Sequence, residues 1–249
     1  LITPYDWQQS ISHRAQYVEG RLAGGSPVIG VSCPDGVILV TVRTTVRKVF
    51  EIYDRLIFAG IGSQADLENL RVSAIDFTHT EGFVRSEDDV TIQRVVGSAL
   101  SPALKKAFAD PLAAPFVARA VFAEMGGSPD HDRFYVLNYD GEYTPGEGYA
   151  VVAGSARATD AGQAAMGKAR SAKSADKAAG QALRAWGAAR LAQDKTDREP
   201  DADAAVKRLH EELAKAAAEI GWLDRKTDRQ GKFSLWPADR VKAVIESLK

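Results

Sequence analysis

Apolar residues between Gly24 and Gly62 fall into four short runs, Val28 to Ser32, Val37 to Val42, Lys48 to Ile52 and Leu56 to Ile61. Turn chemistry separates them, at Pro34-Asp35-Gly36, Arg43-Thr44-Thr45 and Tyr53-Asp54-Arg55. Strands this closely spaced are expected to be hairpins of an antiparallel sheet, because parallel neighbours need a long crossover. Ahead of them, Ile11, Arg14, Ala15, Val18 and Leu22 recur at helical spacing over Ser10 to Leu22, and Gly24-Gly25 ends the pattern.

From Gln64 onward Leu67, Leu70, Ala74 and Phe77 predict an amphipathic helix. Asp88-Asp89 is expected to open a second, with Val90, Ile92, Val95, Val96, Ala99 and Leu104 on its inner side and acids at its positive end. Strand signals resume at Phe116 to Glu124, Arg133 to Tyr139, Glu142-Tyr143 and Gly148 to Ala153, with Asp140-Gly141 as a hairpin turn. Ala-rich helical sequence covers Thr159 to Ala192, broken near Ser171 to Ser174. A charged loop, Asp194 to Asp203, leads to a predicted helix over Ala204 to Glu219. Two strands, Trp222 to Lys226 and Lys232 to Trp236, and a helix from Pro237 close the chain.

Strands in blocks and helices in blocks favour an α+β fold. Two antiparallel sheets face to face with helices outside, a four-layer αββα sandwich, would bury every apolar face named. No shift of composition marks a second unit, so residues 1–249 read as one domain carrying a 194–219 insertion.

The 249 residues hold 45% hydrophobic and 26% charged side chains with a formal net charge of -1, so no general attraction to nucleic acid or anionic membranes is expected. One cysteine, Cys33, excludes an internal disulfide and fits a reducing compartment. His13, His79, His131 and His210 lack zinc-ligand spacing, and Gly60-Ile61-Gly62 lacks the third glycine of a dinucleotide loop, so neither a metal nor a cofactor is expected. No apolar run approaches membrane-spanning length, and Leu1 to Tyr5 lacks the regions of a signal peptide, which points to the cytoplasm.

Several segments together carry a resemblance. They are Gly25-Ser26 before Val28-Ile29-Gly30-Val31, the Asp35-Gly36-Val37 turn, Lys48-Val49-Phe50-Glu51-Ile52-Tyr53-Asp54-Arg55-Leu56, Gly60-Ile61-Gly62 and Leu67-Glu68-Asn69-Leu70-Arg71. Asn138-Tyr139-Asp140-Gly141 and Val151-Val152-Ala153-Gly154-Ser155 continue the pattern. In their order and spacing these resemble bacterial α-type proteasome subunits, of the N-terminal nucleophile hydrolase superfamily, over nearly the whole length. The αββα sandwich is the fold that this resemblance implies.

Active β-type members of that family attack with an N-terminal Thr whose own amine is the base. Ser26 occupies the corresponding place, but the chain continues upstream, Pro27 restricts the backbone, and Val42 stands where active members place a supporting acid. The resemblance therefore implies a non-catalytic subunit. It would form a homo-oligomeric ring, seven-membered in the family, that caps β-type proteolytic subunits, admits unfolded polypeptides and docks an ATP-dependent unfoldase.

By the same resemblance Lys48 would pair with the carboxylate of an activator's C-terminal tail, and Gly62 would line that pocket. Without the family, Lys48 reads as a solvated strand lysine and Gly62 as a tight turn. Residues 8–23 correspond to the retained N-terminal helix, and Thr3, Pro4, Tyr5 and Asp6, within residues 1–6, to the segment that gates the axial pore. The alternative is a self-processing N-terminal nucleophile hydrolase that cleaves after Gly25 and uses Ser26.

Overall fold

The computed structural model describes residues 4–167, 172–194, 201–229 and 231–248. Helix α1 (Pro4–Leu22) leads into strands β1 (Val28–Cys33), β2 (Gly36–Arg43), β3 (Val49–Tyr53) and β4 (Leu56–Gly62). Strands β1 and β2 form the expected hairpin, with Ser32 opposite Val37, and β3 and β4 form another. The two hairpins lie in different sheets, so the expectation of one continuous sheet is corrected. Residues 44–48 carry the chain from one layer to the other and are not a hairpin turn.

After α2 (Gln64–Val84) comes a helical run that starts later than predicted. Asp88 and Asp89 lie in a short 3-10 turn, and Thr91 caps α3 (Ile92–Arg94) by accepting the Arg94 N–H. The run widens into a π-helical segment at Val95–Leu100 and continues as α4 (Ser101–Ala109). Tyr143 packs its hydroxyl against Gly97 in that wide turn, where an added Cβ would approach the oxygen to 2.9 Å.

Strands β5 (Ala118–Glu124), β6 (Arg133–Leu137), β7 (Tyr143–Gly146) and β8 (Tyr149–Val152) follow. The turn between β6 and β7 closes when Gly141 N–H donates to Asn138 O, as the Asp140-Gly141 pair predicts. Helices α5 (Ala156–Gly167) and α6 (Ala175–Gln193) match the Ala-rich stretch. Ser174 caps α6 through the Lys177 N–H, while Ser171 lies outside the described residues.

The predicted helix over 204–219 is corrected: α7 (Ala202–Leu213) stops six residues earlier and β9 (Ala217–Asp224) begins. Ala217 and Ala218 have helical propensity, but β9 pairs with β2 over its full length, from Arg43 opposite Ala217 to Gly36 opposite Asp224. Pairing along eight residues outweighs a local preference of a few tenths of a kcal/mol per residue. Strand β10 (Phe233–Leu235) and helix α8 (Ala238–Glu246), entered through Pro237, complete the chain.

One antiparallel sheet has the order β10-β9-β2-β1-β8, the other β3-β4-β5-β6-β7. Alternation along β2 divides its side chains between two cores. Ile38, Val40 and Val42 meet α6 at Leu183 and Trp186, while Val37 and Leu39 face the other sheet at Ile57 and Phe134. Each such side chain, removed wholly from water, contributes about 1.5–3 kcal/mol before entropy is counted. Helix α2 and the 92–109 run cover the second sheet through Leu70, Val95 and Leu104, which makes the four layers αββα.

Helix α1 adds Val18 and Leu22 to the core between the sheets. Helix α7 packs on α6, with Ala205 O so near Gly187 that a Cβ there would sit 2.2 Å from it. It is therefore part of the outer layer, and residues 217–219 of the expected insertion are sheet.

Candidate functional site

Ser26 precedes β1 at the junction with α1, where Gly25 N–H donates to Leu22 O. Its hydroxyl donates to Val42 O at 2.6 Å and accepts the indole N–H of Trp186 at 3.3 Å. Thr41 Oγ1 lies 3.5 Å from the Ser26 hydroxyl and donates to Pro27 O at 2.7 Å. Gln193 Nε2 donates to Gly25 O, and Arg190 holds Gln193 through its carboxamide oxygen at 2.6 Å. The position of the nucleophile is thus filled with hydrogen-bonded side chains, and its nitrogen is acylated by Gly25.

Lys48 stands one residue ahead of β3, half-buried, with no hydrogen bond or ion pair at its ammonium among the described residues. Burial lowers its pKa, the Arg190 guanidinium lowers it further, and the Glu219 carboxylate opposes both. Glu219, in β9, accepts the backbone N–H groups of Lys48 and Val49 on one oxygen at 3.0 and 2.7 Å. Its other oxygen is 2.6 Å from Arg43 Nε, an ion pair without hydrogen-bond alignment. Sequence spacing showed no acid matched to Lys48, because this one is 171 positions away.

Gly62 ends β4 with φ +130, and an added Cβ would lie 1.9 Å from Val117 O. The left-handed backbone turns the chain into α2, where Ser63 N–H donates to Val117 O. Lys48 and Gly62 line the same cavity, of about 110 Å³, together with Arg47, Phe50, Phe58 and Leu67. Arg47 holds the rim by donating Nε to Val49 O, its guanidinium over the Phe50 ring at 5.0 Å.

Pro4 and Asp6 lie in the first turn of α1, with Tyr5 between them, and Thr3 lies outside the described residues. Helix α1 is anchored by Arg119, which donates to Glu19 at 2.7 Å, Asn138 Oδ1 at 2.6 Å and Ala153 O at 2.9 Å. Among the described residues no three His, Cys, Asp or Glu side chains gather as a metal site, and no helix is long and apolar enough to cross a membrane.

A sequence model of the proteasome subunit matches residues 22–196. The chain belongs to the proteasome subunit family. Proteins named proteasome subunit alpha resemble it at 31% identity over 151 residues in Acidothermus cellulolyticus, covering 60% of this chain and 64% of theirs. The one from Streptomyces coelicolor is 31% identical over 60% of this chain and 59% of its own, and that from Jonesia denitrificans 32% over 62% and 65%. In each, the match spans less than two thirds of the relative's own length.

The bacterial α-type resemblance read from the motifs around Ser26, Lys48 and Asn138 is borne out by these proteasome subunits. Residues 22–196 take in Ser26, Lys48, Gly62 and Trp186 but end before α7 and β9. Glu219 therefore lies outside the matched span. Trp186 and Glu219 are the two residues that the sequence reading missed. Trp186 was hidden in an Ala-rich helix, and Glu219 in a stretch read as helical.

Proposed function

We propose that this chain is a non-catalytic α-type proteasome subunit that assembles as a homo-oligomeric ring, caps β-type proteolytic subunits in the cytoplasm, and docks an ATP-dependent unfoldase. The observation that carries the reading is the cavity shared by Lys48 and Gly62. A half-buried cation whose ammonium makes no hydrogen bond or ion pair among the described residues sits at the mouth of an aromatic-walled recess, the chemistry that suits a C-terminal carboxylate with an apolar side chain beside it. Ser26 supports the non-catalytic half, since its proton is directed at Val42 O and no base approaches it among the described residues.

In this reading an unfoldase tail enters between β3 and α2 and is held at Lys48, and unfolded polypeptide passes through the ring to the proteolytic chambers. Residues Thr3, Pro4, Tyr5 and Asp6 would border the axial pore. Helix α1, tied down through Arg119, would hold that border against the ring.

The test is co-expression with a β-type proteolytic subunit, followed by imaging, intact mass and fluorogenic peptide cleavage. The expected result is a capped ring in which this chain is uncut at Gly25 and peptide cleavage depends on the other subunit. Loss of residues 1–25 with activity in this chain alone would overturn it. Lys48→Ala is expected to keep the ring assembled and abolish activator docking.

A further inference from the structure

We propose that Glu219 is a positioning residue for the docking lysine: reaching from β9, its carboxylate fixes the backbone at Lys48 and Val49 so that the Lys48 ammonium faces the cavity it shares with Gly62. The inference rests on the docking reading above and adds a residue from the other sheet to it.

The 44–48 segment crosses between the sheets and has no ladder partner of its own. At its far end the edge strand β3 presents Val49 with N–H and C=O turned away from β4, an exposed pair that ordinarily meets water or another strand. Here both are satisfied by side chains, the N–H by Glu219 at 2.7 Å and the C=O by Arg47 Nε at 2.7 Å. Lys48 N–H is held by the same Glu219 oxygen, so the backbone on both sides of the Lys48 Cα is anchored to one carboxylate.

Alternation in β9 makes this specific. Ile220 and Trp222 face the helix layer, which leaves Glu219, Gly221 and Leu223 on the face toward the second sheet. Gly221 lies under Val49, where an added Cβ would meet Val49 Cγ1 at 2.3 Å. Bare backbone at Gly221 lets β3 approach closely enough for Glu219 to reach both amides. Glu219 is 4% exposed, so its charge acts in a poorly screened setting.

The charged groups near Lys48 come from several elements. Glu219 comes from β9, Arg190 from α6, Arg43 from β2 on the far oxygen of Glu219, Arg47 from the crossover, and Glu68 from α2 across the cavity. Arg190 is paired to Glu212 and Arg43 to Glu219 itself, so Glu219 is the acid that supports both the placement and the charge of Lys48. Replacement by Gln keeps an oxygen for the two amides and removes the charge. Replacement by Ala removes both.

The experiment uses the full chain in its native assembly and a fluorescein-labelled pentapeptide bearing one tyrosine and a free C-terminal carboxylate, with its C-terminal amide as control. Binding is followed by anisotropy between pH 6 and 10, beside amine acylation of Lys48 read by mass spectrometry. Glu219→Ala is expected to weaken free-acid binding about tenfold at pH 6, through lost placement, and to lose the remainder at lower pH than the parent, through lost charge. Glu219→Gln is expected to bind normally at pH 6, to lose binding at lower pH than the parent, and to show Lys48 acylation at lower pH. A merely structural Glu219 would leave the Gln variant's binding limb and Lys48 reactivity where the parent has them, and that result overturns the inference. If Lys48→Ala binds the free-acid peptide as the parent does, the docking reading itself fails.

Discussion

The indole of Trp186 donates to the Ser26 hydroxyl at 3.3 Å while that hydroxyl gives its own proton to Val42 O at 2.6 Å. Both hydrogen-bonding directions of the serine are thereby used within the protein. Trp186 is 1% exposed and among the largest side chains in the core, seated between α6 and the β1–β2 face. Trp186→Ala is expected to cost about 3–5 kcal/mol. Trp186→Phe keeps most of the volume, releases one hydrogen bond, and is expected to cost about 1–2 kcal/mol. Urea unfolding measures both, and neither variant should cleave a fluorogenic peptide. Cleavage by Trp186→Phe would contradict a purely packed Ser26.

Arg119 joins four parts of the molecule, β5 through its own backbone and Glu19, Asn138 and Ala153 through its guanidinium. Removing a mostly buried cation leaves Asn138 Oδ1 and Ala153 O without their donor while Glu19 stays partly hydrated, so Arg119→Met is expected to lose about 1–3 kcal/mol. Helix α1 should loosen first, because Glu19 is its polar tie to the sheet layer. Tyr139 reports on the same joint: burial, then the nearby Glu19 carboxylate, pushes its phenol up to about 12. Limited proteolysis should cut within residues 4–25 sooner in the variant, and Tyr139, without the Arg119 charge that favours its phenolate, should ionise at higher pH. Unchanged cleavage and titration would remove Arg119 from this role.

Most of the sandwich was legible because it rests on local chemistry. The β1–β2 hairpin followed from Pro34-Asp35-Gly36 between apolar runs, and α2 from Leu67, Leu70 and Ala74 at helical steps. What was not legible depends on distant partners. The jump of the chain between sheets at 44–48 has no local signature, since short polar linkers serve hairpins and crossovers alike. Strand β9 begins in Ala217-Ala218, which only pairing with β2 makes extended. The alternation Glu219, Ile220, Gly221, Trp222, Leu223 was the available signal, and taking Glu219 as the helix end concealed it. Lys48 and Gly62, named through the family resemblance, line one cavity in the structure, whereas the acid beside Lys48 left no local signal.

Gly62→Ala tests whether the corner between β4 and α2 needs a residue without a side chain. Its φ of +130 is strained for any L-residue with a Cβ, and the added atom would lie 1.9 Å from Val117 O. The clash is with backbone that also accepts the Ser63 N–H, so relief must break that hydrogen bond or move β5. A loss of about 1–3 kcal/mol is expected, with a lower thermal midpoint. The same shift narrows the cavity that Gly62 shares with Lys48, so tail-peptide binding should fall more steeply than stability. Stability unchanged to within a degree would mean that the corner relaxes freely.

Asp35 provides the pH-dependent contribution that is clearest in sign. Its Oδ2 accepts the Ala175 N–H at the start of α6 at 3.0 Å, and its Oδ1 pairs with Lys226 Nζ at 2.5 Å. Lys226 first, and the Ala175 N–H second, hold its carboxyl below the usual carboxylate range, with burial opposing. A carboxyl whose pKa is lower folded than unfolded contributes stability that is fully present above the unfolded value, about 3.9, and is lost as pH falls through the folded one. Asp35→Asn lacks that contribution at neutral pH and has nothing further to lose in acid. Thermal midpoints between pH 7 and 2.5 should therefore show the variant below the parent at pH 7 and the two curves converging below pH 4. Because Lys226 is exposed, salt should shrink the neutral-pH gap but leave the part due to the Ala175 cap. Parallel curves over the whole range would mean that Asp35 titrates alike in the folded and unfolded chain.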